Sequence, residues 1–85
     1  MSKRVEYSSS AQKTLRRIDR ASARRIRDKV RILAEDPDSL ANNVKALKGE
    51  AGLMRLRIGD WRVIYTENRV VLLVVKVASR GSVYE

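Results

Sequence analysis

A chain of 85 residues has room for one domain and one modest core. It contains no cysteine and no histidine, which excludes disulfides, thiolate nucleophiles, Ser–His or Cys–His pairs and the usual metal ligands. Nineteen Lys+Arg against ten Asp+Glu leave a net charge of +9, which suits a polyanion or an acidic protein as partner.

The charge is uneven. Residues 1–35 hold eleven basic and four acidic side chains, +7; residues 36–85 hold eight and six, +2. A solvated helix surface that only aids solubility is the plain alternative to a docking surface. The start, Met1 to Tyr7, has no apolar stretch of the secretory kind, and the longest apolar run, Val70 to Val75, is too short to span a bilayer. The expectation is a soluble cytoplasmic protein with no membrane partner.

In chain order, Lys3 to Tyr7 reads as a short first strand with Val5 facing inward. Ser8-Ser9-Ser10 offers N-caps to a helix of about ten residues, with Ala11, Leu15 and Ile18 at helical spacing. Asp19 caps a second helix running to about Glu35, whose buried stripe is Ala23, Ile26, Val30, Leu33 and Ala34. Arg16, Arg17, Arg20, Arg24, Arg25 and Arg27 fall mostly off the stripe. Pro37 ends that helix.

The C-terminal half reads as a sheet. Alternation begins at Met54: Met54, Leu56 and Ile58 point one way, Arg55 and Arg57 the other. Gly59-Asp60 suits a two-residue hairpin turn, with glycine where φ is positive. Glu67-Asn68 is a second, weaker turn signal. The segment from Arg69 to Ala78 is apolar on both faces, as an inner strand is. The expected architecture is a single α+β domain over residues 1–85, with an N-terminal helical hairpin packed on one face of a small antiparallel β-sheet.

The first turn dictates a register. Ile58 faces Trp61, Arg57 faces Arg62 and Leu56 faces Val63. Like charges directly opposite are unfavourable by up to about 1 kcal/mol, and Arg55 lies about 6.8 Å further along the same face. Met54, Leu56, Ile58, Val63 and Tyr65 are needed against the helices. Arg55, Arg57 and Arg62 therefore gather on the uncovered face. They could be merely its wet side, their stems lying over Ile64, Val71 and Leu73, but a generic wet face mixes signs. Trp61 shares the helix-facing parity and reads as the edge of the core.

Leu47-Lys48-Gly49, then the run from Leu53 to Tyr65 with Arg57-Ile58-Gly59-Asp60-Trp61-Arg62-Val63-Ile64-Tyr65 at its centre, then the apolar strand and Ser79-Arg80-Gly81-Ser82-Val83-Tyr84-Glu85, resemble the RelE/ParE superfamily of small bacterial toxins. The resemblance covers nearly the whole chain. RelE-like members cleave messenger RNA, typically in the ribosomal A site; ParE-like members inhibit DNA gyrase. The Arg80 and Tyr84 pair leans toward the RelE-like branch, whose active site includes a basic residue and a tyrosine near this end.

That resemblance implies the toxin of a type II toxin–antitoxin system, with a cognate, often acidic, antitoxin as one partner and the ribosome carrying mRNA as the other. It marks Arg55, Arg57, Arg62, Arg80 and Tyr84 as the site. RNA supplies its own nucleophile, the 2′-hydroxyl, so no cofactor or metal is required. Arg57 and Arg62 are assigned to the scissile phosphate, Arg55 to an adjacent phosphate, and Arg80 to the leaving oxygen or the developing charge. RelE-like enzymes commonly carry lysines where Arg55 and Arg57 stand here; arginine does not give up its proton, so a lysine's role as base cannot pass to Arg57. Tyr84 is left as the titrating group, either as general base or as a stacking platform for a nucleobase. Lys45 and Lys48 would contact the message flank, and the helix arginines ribosomal RNA. A gyrase inhibitor and a non-catalytic nucleic-acid-binding module are the alternatives.

Overall fold

The computed structural model describes residues 2–47, 49 and 52–79. Strand β1, Arg4–Tyr7, is followed by helices α1, Ser9–Arg17, and α2, Arg20–Glu35. A 3-10 segment over Pro37–Asn43 leads into β2, Val44–Ala46; β3 is Met54–Ile58, β4 Trp61–Glu67 and β5 Val71–Ser79.

Both helix starts form as their capping residues dictate. The Ser8 hydroxyl accepts from the Ala11 N–H at 3.1 Å, and the Asp19 carboxylate accepts from the Ser22 N–H at 2.9 Å. That bond, more than any other influence, holds the Asp19 carboxyl below its ordinary pKa. Ala11 and Leu15 of α1 and Ile26, Val30, Leu33 and Ala34 of α2 are buried, while Ile18 and Ala23 pack at the margin. Pro37 stands at the start of the 3-10 turn, where its missing N–H costs nothing.

The five strands lie in the order β1-β5-β4-β3-β2. Four of them are antiparallel, but β1 pairs parallel with β5, so the sheet is mixed rather than purely antiparallel. A parallel partner requires a crossover, and the helical hairpin after β1 begins it. Strand β5 is thus paired on both sides, which explains its continuous apolar run. The helices cover one face, where Leu56, Ile58, Val63, Tyr65, Leu72, Val74 and Val77 join the helix side chains in one cluster.

Three local features differ from the sequence expectation. The β4–β5 connection is the three-residue loop Asn68-Arg69-Val70, with Glu67 inside β4 opposite Leu72. The Asn68 side-chain oxygen accepts from the N–H groups of Val70 and Val71, both at 2.8 Å, forming an Asx turn that needs the extra residue. Strand β5 accordingly begins at Val71. The short edge strand β2 was not anticipated; it is three residues long with an exposed alternate position and carries too little pattern to read. Lastly, β5 is bulged: Tyr65 pairs with Val74 but Ile64 with Lys76, so Val75 has no partner on β4. The Val75 carbonyl accepts from the Ser8 hydroxyl at 2.6 Å. The residue that caps α1 therefore also satisfies the bulge.

Candidate nucleic-acid interface

The β3–β4 hairpin has the register its turn dictates. Ile58 faces Trp61, Arg57 faces Arg62 and Leu56 faces Val63. Gly59 has φ +58 and Asp60 a negative φ, the pattern of a type II′ turn. Arg55, Arg57 and Arg62 consequently share the face that the helices do not cover.

Pairing on both sides extends this face into two rows. One runs Lys45–Arg55–Ile64–Lys76 across β2, β3, β4 and β5; the other runs Arg57–Arg62–Ala78 across β3, β4 and β5. Five cations stand in these two rows and no acid stands in either. Ile64 and Ala78 are 6% and 8% exposed, yet neither belongs to the helix-covered cluster. They form an apolar floor among long basic side chains. The Arg62 guanidinium donates to the Gly59 and Trp61 carbonyls at 3.3 and 3.2 Å, which turns it toward the hairpin end of the face.

Lys76 was missed by sequence reading. Strict alternation from Leu72 and Val74 would aim it at the helices; the bulge at Val75 reverses the parity and delivers it to the open face, with Val77 returning to the core. The available signal was the lysine itself, interrupting an otherwise apolar strand. Lys45 and Lys76 thus stand on the same face as the three arginines.

Arg55, Arg57 and Arg62 share this face in the register the turn implied, and Lys45 of β2, read from sequence only as a flank contact, stands beside Arg55. Lys48, Arg80 and Tyr84 lie outside the described residues. Arg16, Arg17, Arg20, Arg24, Arg25 and Arg27 are all exposed, and they stand on the helices, apart from the open face. Arg27 is engaged within the fold: its guanidinium lies 5.2 Å from the centre of the Tyr7 ring. Arg25 approaches the β3–β4 turn; a β-carbon on Gly59 would lie 3.4 Å from its guanidinium. Trp61 is half-buried and packs on the core, as its parity requires.

The tyrosines inside the described fold are ill suited to lose a proton. Tyr65 is pushed up to about 12, first by burial and then by Glu67. Tyr7 is raised by burial, with Arg27 and Arg31 pulling it partly back. Among the described residues no three acidic side chains gather as metal ligands would. The face can bind phosphates at several points and stabilise charge on one of them.

The family model described as ParE toxin of type II toxin-antitoxin system, parDE, matches residues 5–84. The RelE chain of an archaeal RelE–RelB complex from Pyrococcus horikoshii is 32% identical, covers 96% of this chain and 99% of its own, and superposes with a TM-score of 0.78. The toxin–antitoxin complex RelBE2 of Mycobacterium tuberculosis gives 19% identity, 96% and 95% coverage and a TM-score of 0.80. YafQ of E. coli gives 15%, 98% and 99%, and 0.78. The search of curated proteins gives no match. The motif around the β3–β4 turn, the helical hairpin on a five-stranded sheet and these matches agree: this chain belongs to the RelE/ParE superfamily and is the toxin of a type II toxin–antitoxin system.

Proposed function

We propose that this toxin is a RelE-type endoribonuclease that cuts messenger RNA on the ribosome without a metal. The observation that carries this reading is the pair of rows Lys45–Arg55–Ile64–Lys76 and Arg57–Arg62–Ala78, five cations on an open face with no acid among them. Opposed arginines weaken a hairpin, and a phosphate between them reverses that penalty. In the reaction the 2′-oxygen attacks the adjacent phosphorus and its proton passes to a base. The bond to the 5′-oxygen breaks, and that oxygen takes up a proton. The products are a 2′,3′-cyclic phosphate and a 5′-hydroxyl. Arg57 and Arg62 hold the non-bridging oxygens as charge grows on them. Arg55 and Lys45 hold neighbouring phosphates, and Arg80 serves the leaving oxygen. Tyr84 is the base, with Lys76 as its competitor for that role.

The partner in this reading is an antitoxin, in keeping with the RelE relatives that were crystallised with RelB. An acidic protein would shield the open face and the basic helices, and the toxin would act in the cytoplasm. Lys48 and the helix arginines supply further contacts to the message and to ribosomal RNA.

The match to a ParE family model favours one other reading, a gyrase inhibitor with no catalysis of its own. Expression in growing cells followed by mapping of transcript 5′ ends separates the two. New 5′-hydroxyl ends inside open reading frames, lost on Arg62→Ala, support cleavage. Intact transcripts together with gyrase-dependent DNA breaks would replace it with the ParE-like activity.

A further inference from the structure

A cleft of about 170 Å³ opens beside the start of β2, where the last residues of β3 are left as the edge of the sheet. Leu40, Leu56 and Ile58 form its apolar floor. Its polar wall is Arg25 and Lys29, one turn apart on α2, with Asn43 and Arg57 opposite. The Asn43 side-chain amide donates to the Arg57 carbonyl at 3.4 Å, which ties the end of the 3-10 segment to β3 and leaves its second N–H available. The Arg25 guanidinium lies beside Gly59, about 3.4 Å from where a β-carbon there would stand.

Among the described residues no acidic side chain lines this cleft. Among the described residues Arg25, Lys29 and Arg57 make no ion pair, whereas Lys3, Arg4 and Arg31 are paired with Glu67, Glu6 and Asp28. Arg25 and Lys29, one turn apart beside an amide donor, repel each other until an anion enters. The volume is several times the ~30 Å³ share of one water, so a phosphodiester group fits with part of its hydration. Arg57 is shared: it lines the cleft and also faces Arg62 on the open face. Its place joins the two basic surfaces at the sheet edge.

We propose that this cleft is a phosphate-binding subsite for single-stranded RNA, holding a backbone phosphate that flanks the one at Arg57 and Arg62. The proposal rests on the reading of the open face as an RNA site and names where the strand leaves it. Arg25 and Lys29 contact the phosphate, Asn43 donates its free amide hydrogen, and the strand turns past Gly59 from the sheet toward α2.

The test is binding of a short single-stranded 2′-O-methyl RNA, which cannot be cut, by fluorescence anisotropy across a range of salt. For Arg25→Ala with Lys29→Ala we expect affinity weaker by about tenfold, the loss of one charge-assisted contact. The slope of log affinity against log salt should become shallower by about 0.7, one phosphate on a single strand. Arg25→Lys, which keeps the charge, should retain the slope. Lys13→Ala with Arg69→Ala removes the same charge from exposed positions elsewhere and should also retain it. All these positions are exposed or half-buried, and matched melting curves check the fold. An unchanged slope in the cleft variant, or an equal fall in the control, overturns the proposal. Retained RNA binding with loss of antitoxin affinity overturns it in favour of a protein ligand in the cleft. If the wild type binds this RNA through Arg25 and Lys29 yet cuts no message, the subsite stands and the nuclease reading falls. If the wild type does not bind it, the subsite falls, while the nuclease reading is decided separately by the transcript 5′ ends.

Discussion

Arg57 and Arg62 stand directly opposite each other across the β3–β4 hairpin, on the face that the helices leave open. A hairpin needs neither for its stability, and each would be better served there by an acid. For Arg62→Ala we expect RNA cleavage to fall by about 10²-fold or more, the scale of a lost electrostatic contact in the transition state. Stability should stay within about 0.5 kcal/mol of wild type, since relief of the repulsion offsets the contacts Arg62 makes, the carbonyl bonds to Gly59 and Trp61 among them. Rapid cleavage by this variant, or its failure to fold, contradicts the assignment.

In the proposed reaction the base is Tyr84, with Lys76 as the competitor. General base catalysis is commonly worth about 10²–10⁴-fold. Single-turnover cleavage by Tyr84→Phe should fall within that range while RNA binding is retained. Lys76→Arg keeps the charge but not the amine, and should cut at close to the wild-type rate. The opposite pattern, an active Tyr84→Phe and an inactive Lys76→Arg, transfers the role to Lys76.

Tyrosine titration reads the same question from another side. Tyr65 is held at about 12 and Tyr7 is raised, so a phenolate step below ~10 in the folded protein belongs to Tyr84, the third tyrosine of the chain. Ultraviolet absorbance should show that step in the wild type and not in Tyr84→Phe. Three steps all at or above ~10 would count against an activated Tyr84. Because burial raises the Tyr65 pKa, its neutral form favours the folded state. That stabilisation is complete below about 10 and is lost as pH rises through about 12. Tyr65→Phe should flatten the alkaline fall in melting temperature.

Ser8 joins two features of the fold, accepting from the Ala11 N–H and donating to the Val75 carbonyl. Ser8→Ala leaves the first turn of α1 uncapped and the bulge carbonyl unpaired. Urea unfolding should show a loss of about 2 kcal/mol. Cleavage should fall with it if the bulge is what presents Lys76, and Lys76→Ala in the Ser8→Ala background should then add little.

Trp61 is half-buried at the margin of the core. Trp61→Ala should cost about 2 kcal/mol, less than the roughly 3–5 kcal/mol of a fully buried aromatic. Unchanged melting combined with lost RNA binding would make Trp61 a stacking residue instead.

What was legible in the amino-acid order was whatever local chemistry decides. Ser8 and Asp19 announce two helix starts because a side-chain oxygen beside free N–H groups is a local matter. Pro37 announces a helix end. Gly59-Asp60 sets a two-residue turn, and that turn sets the pairing of Arg57 with Arg62 without reference to the rest of the chain. The arginine face and the family motif could therefore be read before any coordinates. Tertiary structure decided the remainder. The parallel pairing of β1 with β5 depends on contacts between opposite ends of the chain, which no local pattern encodes. The bulge at Val75 is met by Ser8, far away in sequence, whose hydroxyl donates to its carbonyl, and that one extra residue moves Lys76 from the core side to the open side. The cleft at Arg57 likewise needs α2, the 3-10 segment and the end of β3 to meet. Arg25 and Lys29 look like any other basic residues on a helix until the fold brings them to the edge of the sheet.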